Sequence, residues 1–363
     1  MALFQINDAQ DTEYWAAYLT QRSNDANALN GLVVNDPELL RLLNLGERVW
    51  NFPYRDALNA QNEDYPDDSE NTNTPDGMTT DNIKAVRLDR ARSWKSSVIA
   101  QEIKRVGSIA EFMAGVGDYL ETRKRVNIQA VLRGVKSRNA TVPSTTSVHK
   151  RNDLIFDKVK EADADNRGVS INDFVDMNTE FSGYRNSADG IRGVWVCNPV
   201  QAGAARKLDL TSGSLQPPSE RFPFGVIYGW VIVEDVNMPT GRFNSTNDTQ
   251  LAAAPTGSEN FSSVFIRGAG IVHAQAAIDL ATYTNYAQGN GGWTETLHMK
   301  TKYCIHVPGV TYAGSETANP KIASGTGGAL EANDLDNPTS WNFRDTKDRI
   351  GVRFLDTQEK VRS

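Results

Sequence analysis

Alternating apolar and polar positions predict a β-hairpin early in the chain. In the runs 47–52 and 83–88 the two kinds of residue alternate, and Trp50 and Phe52 are among the apolar positions of the first run. A period of two over several residues is typical of a half-buried strand. The two runs are therefore predicted to pair as the strands of a hairpin.

An acidic segment separates these predicted strands. About thirty residues lie between them, and the part from 62 to 81 has no basic residue and seven acids, namely Glu63, Asp64, Asp67, Asp68, Glu70, Asp76 and Asp81. A connection of this length is unusual inside a compact domain, so we expect a solvated tip. The residues before the hairpin are predicted to form an arm with short helical patterns at 8–21 and 37–45.

The segment 96–135 has a strong helical period. Its apolar residues recur at steps of three or four, as on one face of an α-helix. The dipeptide at 107–108 breaks the pattern, and Ser108 followed by Glu111 matches a capping box. We therefore predict a short helix before the break and a long helix from 109 to about 135, extending about 40 Å.

The rest of the chain mixes helices and strands. Helices are predicted at 173–180 and 199–208, the second with Pro199 at its first position. Strands are predicted at 193–196, 226–233, 264–266, 295–306 and 349–355. Polar loops at 239–262 and 313–340 match no motif, and the whole is predicted to be an α+β fold with extensions.

Composition argues against several classes of function. The 363 residues have a net charge of −7, which repels the phosphate backbone and argues against a DNA-binding protein. The longest apolar stretches are only six or seven residues, far short of the roughly 20 that span a bilayer. Residues 1–21 lack the apolar core of a signal peptide, so the sequence predicts a cytosolic protein with no membrane partner.

No motif for catalysis, a cofactor or a metal is found. The segment 163–174 begins like a calcium loop, but Arg167 and Phe174 stand where ligand oxygens are needed. Cys304 and His306 share a strand face, yet two ligands do not make a zinc site. Both cysteines, at 197 and 304, lie in strand-like runs and are predicted to be buried, reduced thiols.

Three stretches, taken in order, resemble one family. The first is the entry 47–55, the acidic tip and the return 85–94. The second is 108–135, which ends in Leu-Arg-Gly-Val at 132–135, and the third is the succession of strand runs at 231–235, 265–270 and 303–310. Together they resemble the major capsid proteins of tailed bacteriophages, which have the Hong Kong 97-like shell fold.

The resemblance implies how the chain is divided. It covers most of the chain and implies an N-terminal arm, an extended β-hairpin called the E-loop, a long spine helix with part of the P-domain, an α/β A-domain and the P-domain strands with the C-terminus. The corresponding ranges are 1–46, 47–92, 93–152, 153–300 and 301–363.

The resemblance also implies a structural function and no enzymatic one. Such proteins self-assemble into pentamers and hexamers that form an icosahedral shell enclosing double-stranded DNA, without sequence-specific binding. The expected partners are other copies of the chain, together with scaffold, portal and decoration proteins. The expected location is the virion, after assembly in the host cytoplasm. The net negative charge fits a container that must not adhere to its DNA.

Inter-subunit contacts are expected on the hairpin and on the outer face of the long helix. A hairpin alone is marginally stable and has unpaired edges, so its aromatic residues gain when a neighbour buries them. The basic face of the helix would meet the acidic tip of another subunit. The residues expected to make these contacts are Trp50, Phe52, Lys84, Arg87, Trp94, Arg123, Lys124 and Arg125.

Three alternatives remain open. A bacterial encapsulin compartment would share the fold and enclose a different cargo. A phage tail or connector protein is the second alternative, and a tail protein would form tubes instead of shells. A soluble enzyme with an unrecognised site would remain a monomer of 40.0 kDa.

Overall fold

A computed structural model describes most of the predicted core elements. The described residues are 34–35, 37–44, 49–55, 80–97, 109–141, 153–161, 163, 166–181, 192–212, 215–216, 225–236, 238, 258–285, 294–313, 335–345 and 347–360. The predicted helices at 8–21 and before 107, and the acidic residues from 63 to 76, lie outside these ranges.

The described residues form four α-helices and fifteen β-strands. The helices are α1 (Pro37–Leu43), α2 (Ile109–Thr141), α3 (Ile171–Glu180) and α4 (Pro199–Ser212). The strands are β1 (Val34–Asn35), β2 (Val49–Arg55), β3 (Thr80–Ser97), β4 (Ile155–Asp157), β5 (Gly193–Cys197), β6 (Leu215–Gln216), β7 (Val226–Ile227), β8 (Trp230–Glu234), β9 (Ser258–Ile266), β10 (Val272–Gln275), β11 (Asp279–Asn285), β12 (Thr294–His306), β13 (Val310–Tyr312), β14 (Trp341–Phe343) and β15 (Val352–Lys360).

The strands form two large sheets and one small one. The first has six strands in the order β1-β10-β12-β3-β2, with β11 also paired to β12. The second has seven strands in the order β4-β15-β9-β5-β8-β7-β6, and β13 pairs with β14. Helices and mixed sheets in one chain confirm the predicted α+β class.

The predicted hairpin is confirmed. Strands β2 and β3 are antiparallel, with Trp50 opposite Ala85. Strand β3 has 18 residues, far more than the predicted return run, because its second half pairs with β12 instead of β2. One strand thus serves both as an arm of the hairpin and as an inner strand of the six-stranded sheet.

The long helix is also confirmed, and it continues beyond the predicted end. Residues 128–135 pack into the largest apolar core between the two large sheets, as their period predicts. The last turns, up to Thr141, bury polar groups: Lys136 donates to Ser262 of β9 and Asn139 donates to Asp153. Polar side chains with partners extend the helix, so the apolar period alone placed its end too early.

A second core lies where α3 and α4 cover the seven-stranded sheet. It is rich in aromatic rings, with Phe174 edge-on to Trp195 at 5.1 Å between ring centroids. Helix α3 begins with a capping box in which Ser170 and Asp173 satisfy each other's backbone groups. The helices predicted at 173–180 and 199–208 and the strand predicted at 193–196 are confirmed, with α4 extending to Ser212.

Two boundary predictions need correction. The run 226–233 is two antiparallel strands, because Tyr228 and Gly229 both have positive φ and form a tight turn. The predicted boundary at 300 does not separate the sheets, since β15 pairs with β9 and with β4 of the seven-stranded sheet. Whether the predicted ranges act as separate domains stays a prediction.

Candidate assembly site and basic pocket

Trp50 is buried within its own chain, which corrects the expectation that a neighbour covers it. Only 1% of its surface is exposed, and it belongs to a cluster with Leu39 and Leu43 of α1 and Ala85 of β3. Helix α1 therefore supplies the cover that the hairpin needs. The side chain of Phe52 lies outside the described residues, so its contact stays a prediction.

Lys84 and Arg87 lie on β3 and are partly buried. The backbone N–H of Lys84 donates to Thr311 Oγ1 at 2.8 Å, which ties the hairpin to β13. The guanidinium of Arg87 pairs with Asp89 at 2.9 Å on the same strand. Lys84 thus holds the hairpin in place through its backbone, whereas the pair of Arg87 lies within one strand. The contact of either residue with a neighbour stays a prediction.

Trp94 and Arg123 meet in one aromatic and cationic group. Trp94 is edge-on to Tyr119 of α2, with 5.5 Å between the ring centroids. The guanidiniums of Arg92 and Arg123 lie 4.8 and 5.6 Å from the Tyr119 ring centroid, and each donates to the Tyr119 hydroxyl at 3.3 Å. These residues join β3 to α2, and Arg123 is exposed as predicted.

Lys124 does not lie on the outer face of the helix. It is 5% exposed and points toward the six-stranded sheet, whereas Arg125 is half-buried. Arg133, further along the helix, is half-buried and pairs with Asp336 at 3.2 Å. Of the predicted basic face, Arg123 alone is exposed, because the helix lies against the sheet with the Lys124 side inward.

A pocket of about 50 Å³ lies between α2 and the six-stranded sheet. Four bases line it, Arg90 and Arg92 from β3 and Arg123 and Lys124 from α2, and the lining includes no acid. His273 of β10 and Thr301 of β12 also line it. Arg90 is directly opposite Thr301 in the antiparallel register, so their side chains share the face that α2 covers.

Burial and the nearby cations shift the pKa values of three side chains that line the pocket. Burial alone would raise the pKa of Tyr119, but hydrogen bonds from Arg123 and Arg92 outweigh it and lower that pKa. Burial raises the pKa of Tyr303, which Arg90 opposes only in part. Burial, with the charge of Lys124 nearby, lowers the pKa of His273 to about 3, so this imidazole is neutral at physiological pH.

Sequence reasoning did not bring these groups together. The alternation of β3 places Arg90 and Arg92 on one face, which is a signal that the sequence contains. Nothing in the sequence shows that β10, β12 and α2 meet at that face. No motif in the sequence singles out His273, and its burial depends on the same tertiary contacts.

The described residues contain no other candidate centre of chemistry. No group of three or more potential metal ligands occurs among them, and none of their helices is long and apolar enough to cross a membrane. Cys197 and Cys304 are buried in strands as thiols outside any disulfide, as predicted. In the segment 163–174, Asp173 caps helix α3 and forms an ion pair with Lys158 at 3.0 Å.

The fold is that of phage capsid chains. A capsid chain of Ralstonia phage GP4 matches with a TM-score of 0.53 and 14% identity over 87% of this chain and 85% of that one. An acid-stable capsid chain of Helicobacter pylori bacteriophage KHP30 matches with a TM-score of 0.50 and 9% identity over 90% and 86%. The chain therefore resembles these capsid proteins over most of its length, as the sequence predicts.

Other comparisons add no narrower assignment. No family model and no curated protein matches the sequence. The SrpI encapsulin from Synechococcus elongatus matches with 8% identity over 99% of this chain and 92% of that one, at a TM-score of 0.45.

Proposed function

We propose that the chain is a major capsid protein that self-assembles into pentamers and hexamers of an icosahedral shell enclosing phage DNA. The observation that carries this proposal is the capsid fold, which matches over 87% of this chain and 85% of the GP4 capsid chain. Because matching extends over nearly the whole of both chains, the fold is shared as a unit and not as one common motif. The role is structural, with no enzymatic step.

The edges of the six-stranded sheet support assembly. Strand β2 ends the sheet, and among the described residues it pairs only with β3. An unpaired edge is a template for pairing with another chain unless something covers it. In a shell, a neighbouring subunit would cover this edge, so the hairpin β2–β3 would serve as the E-loop and α2 as the spine helix.

The buried connections of α2 support its role as a strut. Its residues contribute to the core shared with both large sheets, and Lys136 ties its last turns to Asp356 of β15 and Ser262 of β9. A helix fixed along its length transmits load from one sheet to the other. The partners in assembly would be scaffold, portal and decoration proteins. The assembled chain would be located in the virion.

Deletion of the acidic segment 62–76 tests the assembly role of the hairpin. We expect unchanged circular dichroism and melting temperature for the unassembled chain, because Trp50 and Ala85 at the base of the hairpin are buried in the chain's own core. We expect closed particles to be lost or to dissociate in high salt, because screening weakens exposed charge contacts.

A charge-neutral variant serves as the matched control. Replacing the acids from Glu63 to Asp76 with their amides keeps the length of the segment and removes its charge. Loss of particles in both variants assigns the effect to charge. Normal yields of salt-resistant particles from the deleted chain would show that the segment has no role in assembly.

A further inference from the structure

Two arginines of the basic pocket, Arg92 and Arg123, have no carboxylate partner among the described residues. Among the described residues, the hydrogen bonds of Arg92 and Arg123 go only to the Tyr119 hydroxyl, and at 3.3 Å each of these is long. A guanidinium has five N–H donors, so most donors of both arginines are left for another acceptor. Both side chains are exposed, and four basic residues around one small cavity, with no acid in its lining, make the local potential positive and favour an anion there.

Two buried polar side chains in the same pocket also lack partners. His273 is 1% exposed, and neither of its ring nitrogens has a hydrogen-bond partner within the described part of the chain. The Thr301 hydroxyl, on the neighbouring strand β12, is likewise buried and unpaired there. Leaving a buried polar group unpaired is unfavourable and uncommon in folded proteins, so two such groups beside one cavity point to a ligand.

We propose that this pocket is a binding site for one small oxyanion, of carboxylate or phosphate size. Arg92 and Arg123 supply charge-assisted donors, and Thr301 and the N–H of His273 supply neutral ones. A cavity of about 50 Å³ has room for roughly three or four waters, or for one such oxyanion group. All residues of the site belong to one chain, so oxyanion binding can be measured without shell assembly.

Two sources can supply the oxyanion. One is free phosphate, and the other is an acidic side chain of the segment 62–81 of a second copy, which has seven acids and no base. A strand rises about 3.4 Å per residue, so the start of β3 at Thr80 lies about 34 Å along the strand from Arg90. To reach the pocket of its own chain, the segment would have to run back along that length. The acids of a second copy have no such constraint.

Calorimetric titration of the full-length unassembled chain with sodium phosphate, against chloride at equal ionic strength, tests the site. We expect saturable binding to one site per chain. Arg92→Gln and Arg123→Gln should each weaken it about tenfold, because each removes charge-assisted donors. Arg125→Gln is the matched control, since Arg125 lies on the same helix and does not line the pocket. It should bind phosphate as the parent does.

Thr301→Val removes one hydroxyl and keeps the shape of the side chain. We expect several-fold weaker binding of phosphate from the loss of one neutral hydrogen bond. Circular dichroism and the melting temperature check that each variant folds. Binding that is unchanged by Arg92→Gln, Arg123→Gln and Thr301→Val, or that is weakened as much by Arg125→Gln, would overturn the site.

A competition experiment with a synthetic peptide distinguishes the two sources of the oxyanion. A synthetic peptide of residues 62–81 is titrated with and without phosphate, beside a peptide with every acid replaced by its amide. Competition by the acidic peptide alone assigns the site to a second copy, and phosphate binding without competition assigns it to a free oxyanion. No binding of either probe would contradict the proposal. Particle formation, observed separately by electron microscopy, tests the capsid function independently.

Discussion

The indole of Trp341 lies so close to Gly134 that no β-carbon fits between them. A β-carbon at Gly134 would lie 2.5 Å from Trp341 Nε1 and 2.1 Å from the carbonyl oxygen of Leu335. The indole is held there by its own hydrogen bond to that carbonyl, at 2.7 Å. The glycine of the Leu-Arg-Gly-Val run at 132–135 is therefore needed where α2 crosses the segment before β14.

Gly134→Ala should destabilise the chain. The new methyl group must displace a backbone carbonyl, and overpacking of this kind costs about 1–3 kcal/mol. Chemical denaturation measures the free energy of unfolding. Gly115→Ala is the control on the same helix, because nothing lies within 4 Å of a β-carbon there. It should be neutral or stabilise by about 0.5–1 kcal/mol. Equal stability of both variants would contradict the close approach.

The buried ion pair of Lys136 and Asp356 predicts a large effect of removing one partner. Lys136 is fully buried, and its ammonium donates to Asp356 and, at 2.8 Å, to Ser262. Lys136→Met would leave the Asp356 carboxylate buried without its cation, at a cost of about 3–5 kcal/mol in the free energy of unfolding. Chemical denaturation of the unassembled chain measures it.

Two further variants check that the cost comes from the unpaired charge. Adding Asp356→Asn to Lys136→Met removes that charge and keeps an acceptor for Ser262, so most of the loss should be recovered. Lys347→Met breaks the more exposed pair with Glu180, whose atoms are 2.9 Å apart, and should cost at most about 1 kcal/mol. A double variant as unstable as Lys136→Met would show that packing, not charge, dominates.

Both cysteines should resist thiol reagents in the folded protein. Cys197 and Cys304 are completely buried in strands β5 and β12. Burial, with the nearby charge of Glu234, raises the pKa of Cys197 well above its ordinary value, so the reactive thiolate is also scarce. Labelling followed by mass spectrometry should find two modified thiols only after denaturation. Rapid labelling of the native chain would show that these strands are misplaced.

His306 should make stability depend on pH. Burial lowers its pKa to about 4 from an ordinary 6.5, so between these values the unfolded chain takes up a proton that the folded chain does not. The free energy of unfolding therefore falls as the pH falls from 6.5 to 4, by up to about 1.4 kcal/mol per pH unit for one proton. Above 6.5 this contribution is constant.

Replacing the imidazole isolates that contribution. His306→Gln should reduce the slope of unfolding free energy against pH below 6.5 by about one proton. An identical slope in the parent and in His306→Gln would show that His306 is not buried in its neutral form.

The elements that the sequence predicts well are those with a strong local period. The hairpin β2–β3, the helix α2 and the buried strands of both cysteines all follow from alternation or helical spacing. Strand β11 was missed because its sequence, Asp279–Asn285, is largely polar and its formation depends on pairing with β12. With so few apolar residues, the run shows no alternation that would mark it as a half-buried strand.

The candidate sites were harder to predict because burial depends on tertiary contacts. Trp50 was expected to need a neighbouring subunit, but α1 of the same chain covers it. Lys124 was expected to be outward beside Arg123, but the helix turns it toward the sheet. A helical pattern identifies the apolar face, and it does not show how far the covering sheet extends around the helix.

Electron microscopy of the purified full-length chain, with light scattering of the same sample, tests the capsid function most directly. We predict closed icosahedral particles of megadalton mass, or ring-shaped pentamers and hexamers of the chain, formed through many repeated interfaces. If the chain alone forms no particles, it is co-expressed with a scaffold protein and measured again. Tubes would contradict the account in favour of a tail protein, and a monomer of 40.0 kDa at high concentration under both conditions would contradict self-assembly altogether.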